Sequence, residues 1–210
     1  MSEIYDFSFR KVVAVSASDA PTPGGGSVSA LVGTLGVAMT AMVGNLTVGR
    51  PKFKDVEPEV KEITGAAYFI INQLEKLVAA DIAAFGKFMD VYRLPKTTDE
   101  EKAKREEQMQ KALKKATDTP MEIARTLLDA LVITDKLAKI GNTMAISDAG
   151  VAAYVCEASL NGVLLSVDIN IPMVKDEEYV KNILAEKEQM VAMAKELKDK
   201  AVAVVQERMK

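Results

Sequence analysis

Ser27-Val28-Ser29-Ala30-Leu31-Val32-Gly33-Thr34-Leu35-Gly36-Val37-Ala38-Met39-Thr40-Ala41-Met42-Val43-Gly44 carries no charge on any face. Its length suits a membrane span, but it is rich in Gly, Ala, Ser and Thr, and no other segment reads as comparably apolar. A lone span in an otherwise amphipathic helical chain is a poorer account than a central helix surrounded by others. Small residues let neighbouring helices approach closely. The stretch is therefore read as the hub of a bundle, with no membrane partner.

Working outward, hydrophobic period and punctuation divide the chain into about seven helices. Ile4 to Ser18 forms the first, broken by Pro21-Thr22-Pro23-Gly24-Gly25-Gly26, after which Ser27 caps the hub helix to about Thr47. Pro58 suits the first turn of a third helix that stops at Tyr92, before Leu94-Pro95. Thr98 and Glu101 form a capping box for a fourth, highly charged helix to Asp118. Thr119-Pro120 starts a fifth, ending near Gly141-Asn142, and Ser147 caps a sixth to about Val167. Asp176-Glu177-Glu178 opens the last, its acid matching the helix dipole. The third helix alone would span roughly 50 Å. That favours an elongated up-and-down bundle, one all-α domain over residues 1–210, completed by a second subunit.

Composition narrows the chemistry. A formal charge of −3 gives no electrostatic case for a nucleic-acid partner. The single Cys156 lies in an apolar run and reads as a buried, inert thiol of a reducing cytoplasm. Acidic residues among the first six are unlike a secretory leader. There is no histidine, which removes Ser-His-Asp triads, Cys-His pairs and histidine-bound zinc. Acid–base work must fall to carboxylates, Lys, Tyr or a shifted thiol.

Asp81 is the most informative residue. Helical spacing aligns it with Leu74, Leu77, Val78, Ala84, Phe85 and Phe88, on the apolar stripe. A buried carboxylate is costly unless paired, and desolvation raises its pKa into the range useful for proton transfer. It is either a general base or a structural partner of a buried cation. Gly24, Gly25, Gly26 and Ser27 either form a tight turn into a crowded core or expose helix-terminal amides to a ligand. They form no Walker loop, since the Gly-Lys-Ser/Thr ending is missing. Asn45, ending an apolar helix, needs partners if buried. Asn142 is a C-cap or a ligand contact, and Asp148 a helix-start charge or a functional one. Arg50, Lys52 and Lys54, like Arg93 and Lys96, are solvated loop charges or a grip for substrate carboxylates. The mixed charges from Asp99 to Lys115 read as a solvated helix face.

Pro21-Thr22-Pro23-Gly24-Gly25-Gly26-Ser27-Val28-Ser29-Ala30-Leu31, followed by Ala41-Met42-Val43-Gly44-Asn45-Leu46-Thr47, resembles the cyclodeaminase/cyclohydrolase family. That family includes the C-terminal half of formiminotransferase-cyclodeaminase and stand-alone methenyltetrahydrofolate cyclohydrolases. Ala80-Asp81-Ile82-Ala83-Ala84-Phe85, Arg93-Leu94-Pro95-Lys96 with Glu100-Glu101-Lys102, and Gly141-Asn142 with Ser147-Asp148 follow in the family's order across nearly the whole chain. The resemblance implies an all-α homodimer with a folate pocket near the subunit interface. It implies Asp81 as the catalytic residue, and chemistry that needs no metal or cofactor beyond the tetrahydrofolate substrate.

On that reading Asp81 shuttles the proton, and Asn45 and Asn142 bind the folate or orient Asp81. The glycine turn admits the pterin, and Arg50, Lys52, Arg93 or Lys96 holds the glutamate tail. With no formiminotransferase segment in these 210 residues, the reading tilts to cyclohydrolase over cyclodeaminase. A non-catalytic helical binding protein is the rival: it requires Asp81 to be neutralised by a fixed cation, with no cleft beside it.

Overall fold

Ser8 accepts a hydrogen bond from the Lys11 amide, which starts α1 (Phe9–Ser16) there and leaves Glu3–Asp6 as a separate 3-10 turn, not one helix from Ile4. The computed structural model describes residues 3–210. Among them are five longer helices: α2 (Gly25–Thr47), α3 (Glu57–Tyr92), α4 (Asp99–Ile140), α5 (Ile146–Asn170) and α6 (Glu177–Arg208). The total is six α-helices and no strand among the described residues, one helix fewer than the punctuation suggested.

The discrepancy lies at Pro120, which is inside α4 and does not open a new helix. Proline has no N–H, so it leaves the Ala116 carbonyl without its helical donor. Asn170 Nδ2 supplies that bond from α5 at 3.0 Å, and α4 runs on for 42 residues. Two caps also differ from expectation. α2 starts at Gly25 after Gly24, so Ser27 is inside the first turn, and α5 starts at Ile146 before Ser147. The box of Thr98 with Glu101, Pro58 in the first turn of α3, and the Asp176 cap all form as the sequence predicts.

The topology follows from the short connections. α2, α3, α4 and α5 alternate up and down as a four-helix bundle, and α6 lies in the groove of α4 and α5. α2 is a corner of this bundle, and its small residues bring it against α4 on the diagonal as well. A Cβ on Gly33 would stand 2.5 Å from Leu127 Cδ2, so glycine lets Leu127 of α4 pack this close without displacement. Thr40 and Thr134 bridge the same contact at 2.7 Å. Around it Leu74, Val78, Leu127, Leu131, Leu160 and Leu164 form the core. Cys156 is buried there, its thiol pushed up to about 12 by desolvation and so inert.

The hub expectation needs two corrections. α2 is not surrounded: Leu35 is 56% exposed, and Val32 and Leu46 share its open side. Nor is it alone in its apolarity. Gly25–Thr47 and Thr143–Met173 both have the length and hydropathy of a membrane span (1.6 and 1.4), yet 56% and 50% of their most apolar windows are buried inside the bundle. They pack against each other as antiparallel neighbours, with Gly36 against Val155 and Cys156. The buried half of each helix accounts for part of that apolar composition, and the rest lies on the exposed side of α2 and α5.

Candidate active site

The apolar stripe of α3 changes surroundings as it approaches the N-terminus of α2. Leu74 and Val78 are fully buried in the core. One turn later Asp81 leaves it and, with Ile82, Ala84, Phe85 and Phe88, lines a cavity of about 300 Å³. Pro21, Thr22 and Gly24 to Ser27 form a second wall. Ala116 and Pro120 of α4, with Ser166, Ile169 and Asn170 of α5 and Met173 beyond it, close the third. That volume is at the small end of ligand pockets, enough for a bicyclic ring but not for a long tail.

Asp81 is the only ionisable side chain lining this cavity among the described residues. No Lys or Arg forms an ion pair with it among them. Ser27 Oγ donates to its Oδ2 at 2.6 Å, and the Ser27 backbone amide also contributes. Burial pushes the Asp81 carboxyl above the usual aspartate range, while the bonds from Ser27 pull the other way. The positive end of the α2 dipole also favours the ionised form. No side chain among the described residues donates to Oδ1, which leaves that oxygen able to take a proton. The rival reading required a fixed cation and no cleft; among the described residues Asp81 has no cation paired with it, and it lines a cleft.

Glycine at 26 is what lets α2 reach the carboxylate. A Cβ there would lie 2.9 and 3.0 Å from the two Asp81 oxygens and 3.2 Å from Cγ. The clash falls on the end of a side chain, which can swing aside. Gly26→Ala is therefore expected to keep its melting temperature within a few degrees while turnover falls on the order of 10²-fold, the scale of an ångström-sized misplacement. Circular dichroism melts and steady-state kinetics on one preparation check both parts.

The remaining sequence candidates sort by position along the bundle. Arg93 caps the C-terminus of α3 and Lys96 follows in the loop; both are exposed. Arg93 is roughly 18 Å along the axis from Asp81, at the cleft's end of the molecule but outside its lining. Asn45 is about 30 Å from Gly25 along α2, where its Nδ2 donates to the Tyr68 hydroxyl at 2.8 Å. Arg50 and Asn142 share a shallow depression at that far end with Lys52, Phe53 and Met144. Asn142 is occupied structurally. Its Nδ2 donates to Leu46 O, its Oδ1 accepts from the Met144 amide, and its own amide donates to Thr47 Oγ1. Asp148, partly exposed in the first turn of α5, lies at the same far end. None of these four can orient Asp81 within one chain. Phe85 and Phe88 were legible on the Asp81 stripe, whereas Pro120, Ser166, Asn170 and Met173 escaped the sequence reading because they reach the cleft only when α3, α4 and α5 meet.

Comparison with known proteins gives the family and supports the fold. The formiminotransferase-cyclodeaminase family profile matches residues 8–189. Over 192 residues the chain is 38% identical to a methenyltetrahydrofolate cyclohydrolase of Methylorubrum extorquens, covering 91% of this chain and 92% of that one. It is 33% identical over 176 residues to the rat formimidoyltransferase-cyclodeaminase, covering 84% of this chain and 32% of that longer protein. The crystal structure of a formiminotetrahydrofolate cyclodeaminase from Thermotoga maritima superposes with a TM-score of 0.88 at 31% identity, covering 98% of each chain. The chain belongs to the formiminotransferase-cyclodeaminase family.

Proposed function

We propose that the protein is a methenyltetrahydrofolate cyclohydrolase, with Asp81 as its proton-transfer group. The observation that carries this is a carboxylate with no paired cation among the described residues, set in an apolar cleft, with one oxygen that no side chain there bonds. Apolar walls such as Phe85, Phe88 and Ile169 suit the faces of a pterin ring. Water attacks the methenyl carbon and gives a proton to Asp81 Oδ1 as the C–O bond forms. Asp81 returns that proton to N5 as the C–N5 bond breaks, and the remaining hydroxyl proton leaves to solvent. The products are 10-formyltetrahydrofolate and one released proton.

Formiminotetrahydrofolate cyclodeamination is the second reading, supported by the fold likeness to the Thermotoga enzyme. There N10 attacks the formiminium carbon, Asp81 takes the N10 proton and passes it to the NH2 group, and the C–N bond breaks to release ammonia and the methenyl cation. Purified protein given each substrate separately separates the two. Loss of methenyl absorbance supports the cyclohydrolase, and gain with ammonia release the cyclodeaminase. Inertness towards both would reject the folate reading.

The base must be ionised, so turnover is expected to fall as pH drops through the Asp81 pKa, at a midpoint above the ordinary carboxylate range. Ser27→Ala removes a bond that favours the anion, so its acid limb should move to higher pH. A pH–kcat profile unchanged by that substitution would remove Asp81 from the limb.

We also propose a homodimer through the outer side of α2 and α5, where Val32, Leu35, Tyr154, Leu165 and Ile169 are exposed. A twofold axis across α2 would set its far end, with Asn45, Arg50, Asn142 and Asp148, towards the partner's cleft. The glutamate tail, too long for the cleft, would then meet Arg50 or Arg93 and Lys96 outside it. Sedimentation at the mass of one chain would reject this arrangement.

A further inference from the structure

The Asp81 cleft contains a second polar group that the proton-transfer chemistry leaves unused. Asn170, the last residue of α5, lines the wall opposite the glycine turn. Its orientation is fixed from α4. Pro120 cannot donate to the Ala116 carbonyl, and Asn170 Nδ2 does so at 3.0 Å. Turning the amide over would set two carbonyl oxygens against each other, so Nδ2 faces α4 and Oδ1 faces away from it. Oδ1 accepts no hydrogen bond among the described residues and is not buried without a partner, so it is accessible, on a residue that lines the cleft. One turn earlier on the same face, Ser166 lines the cavity with a hydroxyl that can donate or accept. The other groups on this wall, Ala116, Pro120, Ile169 and Met173, offer no side-chain hydrogen bond.

We propose that Asn170, held by the carbonyl that Pro120 frees, is a specificity residue that reads the donor edge of the pterin. This rests on the folate reading above. A neutral acceptor on an apolar wall selects a ring edge that presents N–H donors, and the 2-amino-4-oxo edge presents the exocyclic amine and N3–H. Ser166, one turn along, is placed for the 4-oxo oxygen. An edge that offers only acceptors would leave Oδ1 unpaired and is rejected.

The test is a cycle between protein and ligand, read by calorimetry without turnover. The probes are 5-formyltetrahydrofolate and its analogue with methyl in place of the 2-amino group. The wild type is expected to bind the analogue on the order of tenfold more weakly, the scale of one neutral hydrogen bond. Asn170→Ala should weaken the parent ligand by a similar factor and bind both ligands alike, so the two losses do not add. The wild-type comparison needs no variant, so it stands even if Asn170→Ala, which unpairs the Ala116 carbonyl, proves unstable. Equal affinity of the wild type for both ligands, or additive losses, would overturn the assignment while leaving the folate reading intact. A wild type that binds neither ligand would remove both.

Discussion

Asp81→Asn is expected to lower kcat on the order of 10²- to 10⁴-fold, the range over which a positioned acid–base group contributes. Folate affinity should stay within a few-fold, because the amide is nearly isosteric and can still accept from Ser27 Oγ, now 2.6 Å from Oδ2. The same substitution should raise stability at neutral pH. In the folded protein burial lifts the Asp81 pKa above its unfolded value. Between those two values the folded state therefore holds more protons than the unfolded one. Stability then falls as pH rises through that window, and the penalty is fully present above the folded pKa. Asn carries no such penalty, so the variant's advantage should be greatest near pH 7 and vanish below the ordinary aspartate range. Urea midpoints across pH, beside single-turnover kinetics, measure both consequences. A variant as active as the wild type would dismiss Asp81 as the base. One that is inactive but less stable at pH 7 would make Asp81 chiefly a cap for α2. A trade of stability for chemistry is the usual mark of an active site.

Leu127→Ala should cost about 2–5 kcal/mol of stability. Leu127 is fully buried on α4, with its Cδ2 in the space that a side chain at Gly33 would need. Gly33→Ala alone forces that contact, 2.5 Å from Cβ to Cδ2, and should cost roughly 1–3 kcal/mol by overpacking. Combined, each change relieves the other, because the new methyl enters the cavity left by leucine. The double variant should therefore be less destabilised than the sum of the singles by about 1 kcal/mol or more. Urea unfolding of all four proteins closes the cycle, and strict additivity would mean that α2 and α4 do not meet at this point.

Much of this architecture was legible in the sequence because it is set locally. The capping box of Thr98 and Glu101, Pro58 in a first turn and the Asp176 cap involve residues three or four apart, and they form as their chemistry requires. The stripe containing Asp81 was visible for the same reason, since a helix fixes which residues share a face. Pro120 misled because its missing N–H is compensated by Asn170, 54 positions away at the Ala116 carbonyl. No local rule contains that partner.

By itself, then, the sequence determined that the chain is helical, that α2 must pack closely, and that one carboxylate lies on an apolar face. Periodicity and caps act within a few residues, so they are written in the order of the side chains. The tertiary structure alone decided that α2 is a corner with an open apolar side, and that Asp81 meets Ser27 rather than a cation. It also separated Asp81 from Asn45, Arg50, Asn142 and Asp148 by the length of α2. Those outcomes depend on which helices meet and at what height along their axes, and that is fixed by the summed packing of the bundle.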